Sequence, residues 1–292
     1  MKQIICFVFF VFLMFMSPIF AQKEEYHSKF VEKFNKSTSK FFNINLRETG
    51  EDNRYSHGIS LSEKCTKVMK LRIDPKDPAG AGRGPEIVSK NFTHFGTYSA
   101  RIKVPNVIDV QPNVGAVVGY FTYHMDAVAG LSEIDVEWLI ADPTIIYIGT
   151  WTGEQGSLQR IGRTINLSKG VIYSTSHRVG QGENELFTDR LQNLPETIQS
   201  IENYDASSQF YTYGFDWYPN RIRWWMLHPT TGEKIVLWDY SGSTLGIPQK
   251  QTYYRLNFWH TNNWPVETNQ NSIEKPLYNY EVEVDWVSYS PI

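Results

Sequence analysis

Ser132–Trp138 reads SEIDVEW, with Glu133, Asp135 and Glu137 at every second position and Ile134 and Val136 between them. Residues two apart share one face of a β-strand. As a strand, this segment turns three carboxylates one way and its aliphatic pair the other. Like charges in a row repel, and the local sequence offers no counter-charge: Val104 to Gln159 contains neither lysine nor arginine. One reading is a half-buried strand with a solvated acidic face. The other is a carboxylate cluster kept for its proton chemistry.

Working outward, strand-like runs recur: KVMKLRID, GTYSARIKV, GAVVGYFTYH, TIIYIGTW, QFYTYGFDW, YYRLNFWH and YEVEVDWVSYS. They are short, rich in Val, Ile, Tyr, Phe and Trp, and bounded by turn residues. Glu183–Leu194 is the best helical candidate. Many short strands with few helices predict an all-β sandwich or barrel. YPNRIRWWMLHPTTGEKIVLW predicts two strands turning near Thr231–Gly232. Residues 158–208 read as a long, polar, irregular insertion or loop. Without internal repeats or a Pro/Ser linker, residues 22–292 make a single domain.

Residues 1–21 carry one lysine, an apolar run and a small residue at Ala21, the pattern of a cleaved signal peptide. The run Ile4–Met16 is short for a spanning helix. The expected product is secreted and extracellular, or periplasmic in a Gram-negative source, with no membrane attachment. Of 28 basic and 31 acidic residues, cleavage removes Lys2, leaving 27 against 31 and a charge of −4. That balance argues against nucleic acid as a partner. Cys65 alone remains after cleavage, so neither an internal disulfide nor a cysteine zinc site is available. Asn-x-Ser/Thr sequons begin at Asn35, Asn91 and Asn166. GAGRGP, at Gly80–Pro85, lacks a following helix pattern and reads as a loop rather than a phosphate cradle.

The chain contains its own control for SEIDVEW. YEVEVDW places Glu281, Glu283 and Asp285 with the same alternation, so alternation alone does not make a site. SEIDVEW differs in its long–short–long order of acids, its Lys/Arg-free surroundings and the preceding aromatic YFTYH. YEVEVDW lies at the chain end, where a peripheral strand is expected. Glycoside hydrolysis needs one protonated carboxyl and one carboxylate that attacks or activates water, about 5–5.5 Å apart in retaining enzymes and roughly 6.5–9.5 Å in inverting ones. The Cα atoms of Glu133 and Glu137 lie about 13 Å apart on a flat strand, so their side chains must lean together across a concave sheet. Crowding would raise at least one carboxyl's pKa, keeping it protonated near neutrality. All nine tryptophans fall at or after Trp138. Most of them, including Trp138, Trp217 and Trp286, are expected in the core, and a few are free to stack on sugar rings.

EIDVE resembles the Glu-x-Asp-x-Glu signature of glycoside hydrolase family 16, the lichenases, laminarinases, agarases, carrageenases and xyloglucan transglycosylases. The resemblance continues in order through GPEIVSKNFTHFGTYSARIKVP, YFTYH, YTYGFDWYPNRIRWWM, LNFWH and VEVDWVSY. It implies a β-jelly-roll sandwich of two antiparallel sheets with a concave glycan-binding cleft, no required cofactor, and a monomer acting on a polysaccharide of β-glucan or galactan type. It further implies Glu133 as nucleophile of a retaining double displacement, Glu137 as acid/base and Asp135 as the group tuning them. Tyr123, Asn257, Trp259 and Glu86 match sugar-contacting positions. Asp285 matches one ligand of the structural calcium found in some members.

Three positions depart from a lichenase: Leu131 replaces a Trp, Val88 replaces an Arg, and a cleft-facing Gln-x-Asn aligns with Ile146-Tyr147-Ile148. The resemblance therefore implies a secreted endo-acting β-glycan hydrolase without fixing its polymer. A transglycosylase passing the same intermediate to a sugar acceptor is one alternative. A non-catalytic carbohydrate-binding protein is the other, favoured by the apolar Ile146/Ile148.

Overall fold

β-strands account for nearly all the regular structure. A computed structural model describes residues 25–43, 55–243 and 245–292; the segment read as a signal peptide lies outside the described residues. First come β1 (Phe30–Glu32), β2 (Phe42–Asn43), β3 (Tyr55–Ile59), β4 (Lys67–Ile73), β5 (Glu86–Ser89) and β6 (Gly96–Lys103). A run of neighbours follows: β7 (Ala116–Asp126), β8 (Gly130–Leu139), β9 (Ile145–Gly153), β10 (Gln159–Asn166), β11 (Val171–Val179) and β12 (Glu185–Leu186). The last five are β13 (Tyr211–Tyr218), β14 (Arg221–Leu227), β15 (Lys234–Tyr240), β16 (Tyr253–His260) and β17 (Tyr280–Pro291).

They form two antiparallel sheets of a jelly-roll sandwich. One runs β15-β14-β13-β6-β17-β4-β3, with β1 also on β17; the other runs β12-β11-β10-β9-β8-β7-β16-β5-β2. SEIDVEW is β8, in the middle of the second sheet, paired with β7 and β9. Its Ile134, Val136 and Trp138 point into the sandwich and are fully buried. Across the core, the Trp138 ring meets Tyr213 edge-on at 4.7 Å, and Trp224 Nε1 donates to the Asp135 carbonyl at 3.1 Å. The second sheet is thus tied to the first directly beneath the carboxylates, which face outward. Among the described residues no helix is long and apolar enough to cross a membrane.

Four expectations need correction. Residues 158–208 are irregular only in their second half: β10 and β11 form a hairpin that extends the second sheet, with a register shift between Thr164 and Ile165. Its alternation was hidden because an inward position is Arg163, 2% exposed. The Arg163 guanidinium donates to the Asn193, Pro195 and Leu237 carbonyls and to Thr175 Oγ1. Within Glu183–Leu194 the chain makes the two-residue β12 and a single 3-10 turn at Arg190–Gln192, not a helix. YEVEVDW is not peripheral, since β17 lies between β6 and β4. Finally, Trp286 is half-exposed. A bulge between Val284 and Trp286 shifts the phase, so that Val287 and Tyr289 point inward in its place. Trp138 and Trp217 are core residues as expected, and β14 and β15 turn near Gly232.

Candidate active site

Directly opposed residues of antiparallel strands project to the same side, so the register maps the outer face of the second sheet. One row crosses it as Tyr253, Tyr123, Glu133, Trp151, Arg160 and Arg178. The next reads Arg255, Phe121, Asp135, Gly149, Gly162 and Ser176. The third reads Asn257, Gly119, Glu137, Tyr147 and Thr164, with Glu86 beside Asn257. All three acids, with Tyr123, Asn257 and Glu86, therefore share one face. A depression in it is lined by Asp135, Glu137, Tyr147, Gly149, Trp151, Arg160 and Trp264. Gly149, beside Asp135 in the middle row, adds no side chain to it.

Among the described residues, no ion pair or hydrogen bond engages the carboxyls of Glu133, Asp135 and Glu137. Asp135 is buried, and both glutamates are half-buried. Burial first, then the charge of Glu137, pushes Glu133 up to about 8. Burial raises Glu137 to about 7 against the opposing pull of Arg160. Asp135 goes well above the usual carboxylate range through burial and repulsion from both glutamates. The three acids together therefore retain protons at neutral pH. The local absence of Lys and Arg is offset by distant segments: Arg160 acts on Glu137 and Asp135, and Arg255 on Glu133.

The predicted sugar-contacting residues differ in availability. Tyr123 is half-buried beside Glu133, with the Arg255 guanidinium 5.0 Å over its ring. Asn257 lies across Gly119, where an added Cβ would sit 2.4 Å from Asn257 Oδ1. That oxygen is buried without a hydrogen-bond partner, two row positions from Glu137 with only Gly119 between them. Glu86 is buried and ion-paired to Arg255, which stands opposite Val88. The arginine missing at position 88 is thus supplied by the adjacent strand. Trp259 is 9% exposed within a small apolar cluster of Val117, Leu139, Ile145, Tyr147 and Val266, with Trp264 packed against it. It braces the end of the depression more than it presents a stacking face.

Asp285 is far from any such arrangement. Its Oδ2 accepts from Arg101 Nη1 at 2.8 Å, so this carboxylate is already paired with a cation. Among the described residues no group of three or more His, Cys, Asp or Glu side chains could hold a metal. The residues present do not fit a calcium there. The Asn166 amide is fully buried and donates to Thr144 Oγ1, which closes that sequon to a glycan.

Sequence reading missed Tyr147, Trp151, Trp264, Arg160 and Arg178. It also assigned β9 the wrong phase: Ile146 and Ile148 belong to the core, and Tyr147, Gly149 and Trp151 face the depression. The alternation of isoleucines in TIIYIGTW carried that signal. Arg160 and Arg178 carried none, because only the β10–β11 register brings them to this face.

No protein-family profile matches the chain. It is 25% identical over 234 residues to a "Beta-glucanase" of Brevibacillus brevis, covering 77% of this chain and 67% of that one. A "Xylanase/beta-glucanase" of Ruminococcus flavefaciens is 25% identical over 202 residues, covering 69% of this chain but only 18% of the relative's length. Among solved structures, the Bacillus licheniformis beta-glucanase superposes with a TM-score of 0.56 at 20% identity, covering 91% of this chain and 99% of that one.

Proposed function

We propose that this chain, a member of glycoside hydrolase family 16, is a secreted endo-acting β-glycan hydrolase working by retaining double displacement. The observation that carries the reading is the row Glu133, Asp135, Glu137: three carboxyls on one open face, unpaired and holding protons at neutral pH, with Tyr123 and Trp151 flanking Glu133. An acidic strand serving only solubility would keep its carboxyls ionised in water. A buried, unpaired carboxyl costs stability, and proton transfer is what that cost supports.

In this scheme ionised Glu133 attacks the anomeric carbon as Glu137 gives its proton to the departing glycosidic oxygen. A glycosyl ester on Glu133 results. Glu137, now ionised, takes a proton from water, whose oxygen bonds to the anomeric carbon and releases Glu133. Asp135 keeps its proton throughout and has an O–H to offer whichever neighbour is ionised. Tyr123, Asn257 and the rings of Trp151 and Trp264 bound the sugar path. The feature that favoured a mere binding protein, an apolar cleft strand, is gone with the corrected phase of β9.

The test is incubation of residues 22–292 with mixed-linkage glucan, laminarin, xyloglucan, agarose and κ-carrageenan, products being sized by mass spectrometry. New reducing ends that vanish in Glu133→Gln are expected. Label from an added oligosaccharide appearing in longer chains would mean transfer in place of hydrolysis. A Glu133→Gln protein as active as the parent would sink the assignment.

A further inference from the structure

Arg160 and Arg178 stand side by side on the outer face of the second sheet, opposite each other in the β10–β11 register. Their guanidiniums lie over the same ring, Trp151, at 5.7 and 5.0 Å from its centroid. Among the described residues neither makes an ion pair or a hydrogen bond. Arg178 Nε is buried with no partner. Two neighbouring arginines, Arg163 on the inner face of β10 and Arg255 on the outer face of β16, show how the fold treats an arginine it uses structurally. Arg163 points inward onto three carbonyls and a hydroxyl, and Arg255 is paired with Glu86.

Two adjacent, partly desolvated cations repel, and the same row places them two and three strand spacings from Glu133, about 10 and 14 Å. Arg160 also acts electrostatically on Asp135 and Glu137, a role that accounts for one cation. Arg178 has no such account. A planar fork of donors left unpaired on the outer face, next to the Arg160 that lines the depression, matches the oxygens of a sulfate ester or carboxylate. With a formal charge of −3 over the whole chain, attraction to a polyanion has to be local to such a patch.

We propose that Arg160 and Arg178 form an anion-binding subsite, and that the polysaccharide taken by this cleft carries sulfate or carboxylate groups on its sugars. This rests on the reading of the cleft as a glycan site and narrows its substrate to an acidic polymer.

The test uses the Glu133→Gln protein, so that binding is read without turnover. Its affinity is measured for sulfated κ-carrageenan, carboxylated alginate, neutral agarose oligosaccharides and mixed-linkage glucan at 50 and 500 mM NaCl. At least tenfold tighter binding of one charged polymer, weakened by salt, is expected; which one separates sulfate from carboxylate. Adding Arg178→Gln should cost about tenfold on that polymer and under twofold on neutral ones, with Arg178→Lys recovering part of the loss. Circular dichroism and melting confirm that each variant folds. Equal or better binding of a neutral glucan, or equal losses on charged and neutral ligands in Arg178→Gln, overturns the subsite and leaves the hydrolase reading intact. Binding to none of the four overturns the subsite, and the hydrolase reading then stands or falls by turnover of laminarin and xyloglucan in the test above.

Discussion

In β17, Glu283 accepts hydrogen bonds from the Ser60 hydroxyl at 2.7 Å and the Leu61 backbone at 3.2 Å, and Lys70 Nζ stands 3.4 Å away. Lys70 also reaches Glu281, and Arg101 holds Asp285 and Glu63 together. In β8, no equivalent group meets Glu133, Asp135 or Glu137, though Asp135 is nearly as buried as Glu283. Two strands with the same alternating acids thus lie mid-sheet on opposite outer faces. One has its charges neutralised across the sheet by basic residues of β4 and β6. The other faces glycines, aromatics and cations kept at a distance. Neutralised charge contributes to structure, whereas the unneutralised charge at the floor of a depression is what the proposed chemistry rests on.

The largest effect should separate the strands by activity. Glu133→Gln or Glu137→Gln should lower kcat/KM on the cleaved polymer by about 10³-fold or more, the scale lost with a nucleophile or general acid. Glu281→Gln should stay within about twofold. Comparable losses in both strands would dissolve the distinction. Below these in size comes Asp135, whose proposed part is to donate a hydrogen bond. Asp135→Asn keeps a donor and should cost about tenfold, while Asp135→Leu removes it and should cost about 10²-fold, within the range for such electrostatic support. Equal losses in the two variants would deny it that role.

The pH profile follows from the same three carboxyls. In the proposed scheme Glu133 must be ionised and Glu137 protonated, so kcat/KM should fall at low pH as Glu133 gains a proton and at high pH as Glu137 loses its own. With Glu133 near 8 and Glu137 near 7, the bell should be narrow and centred between about 7 and 8. An optimum near pH 5 would mean that the cleft does not raise these groups.

Much of this was legible beforehand. β8 declared itself because its inward positions are all aliphatic or aromatic and its outward ones all acidic, and the order of motifs along the chain carried the jelly roll. Position in the sheet was not legible: β17 lies at the end of the chain yet in the middle of its sheet, a matter of long-range pairing that local alternation does not encode. Nor was the bulge that turns Trp286 out. The hairpin of β10 and β11 was concealed by Arg163, whose burial depends on carbonyls some 30 to 74 residues distant. The cationic half of the cleft went unseen with it.

Stability offers a sharper version of the comparison. Removing the Glu283 charge leaves the Ser60 hydroxyl, the Leu61 N–H and Lys70 short of an acceptor in a site only a few per cent exposed. Glu283→Gln should therefore destabilise by about 1–3 kcal/mol, a drop of roughly 2–12 °C in Tm. Glu133→Gln removes a carboxyl with no partner to orphan and should not lower Tm at all. A fall in both would indicate that Glu133 is held by contacts of the kind β17 uses.

The smallest effect is the pH dependence of that stability, and its sign is set by the raised carboxyls. Between the ordinary glutamate value, 4.5, and about 8, folded Glu133 holds a proton that the unfolded chain has released. The folded state then binds more protons, so stability must fall as pH rises through this window. Whatever Glu133 contributes is present below pH 4.5 and lost by about pH 8. Its carboxyl is half-buried and solvent softens the penalty, which makes the contribution on the order of 1 kcal/mol, or about 2–4 °C in Tm. The parent should therefore melt lower at pH 8 than Glu133→Gln does, and the two curves should converge towards pH 5. Parallel curves across that range would show that the β8 carboxyls ionise as freely as exposed ones, removing the physical ground on which the two acidic strands are told apart.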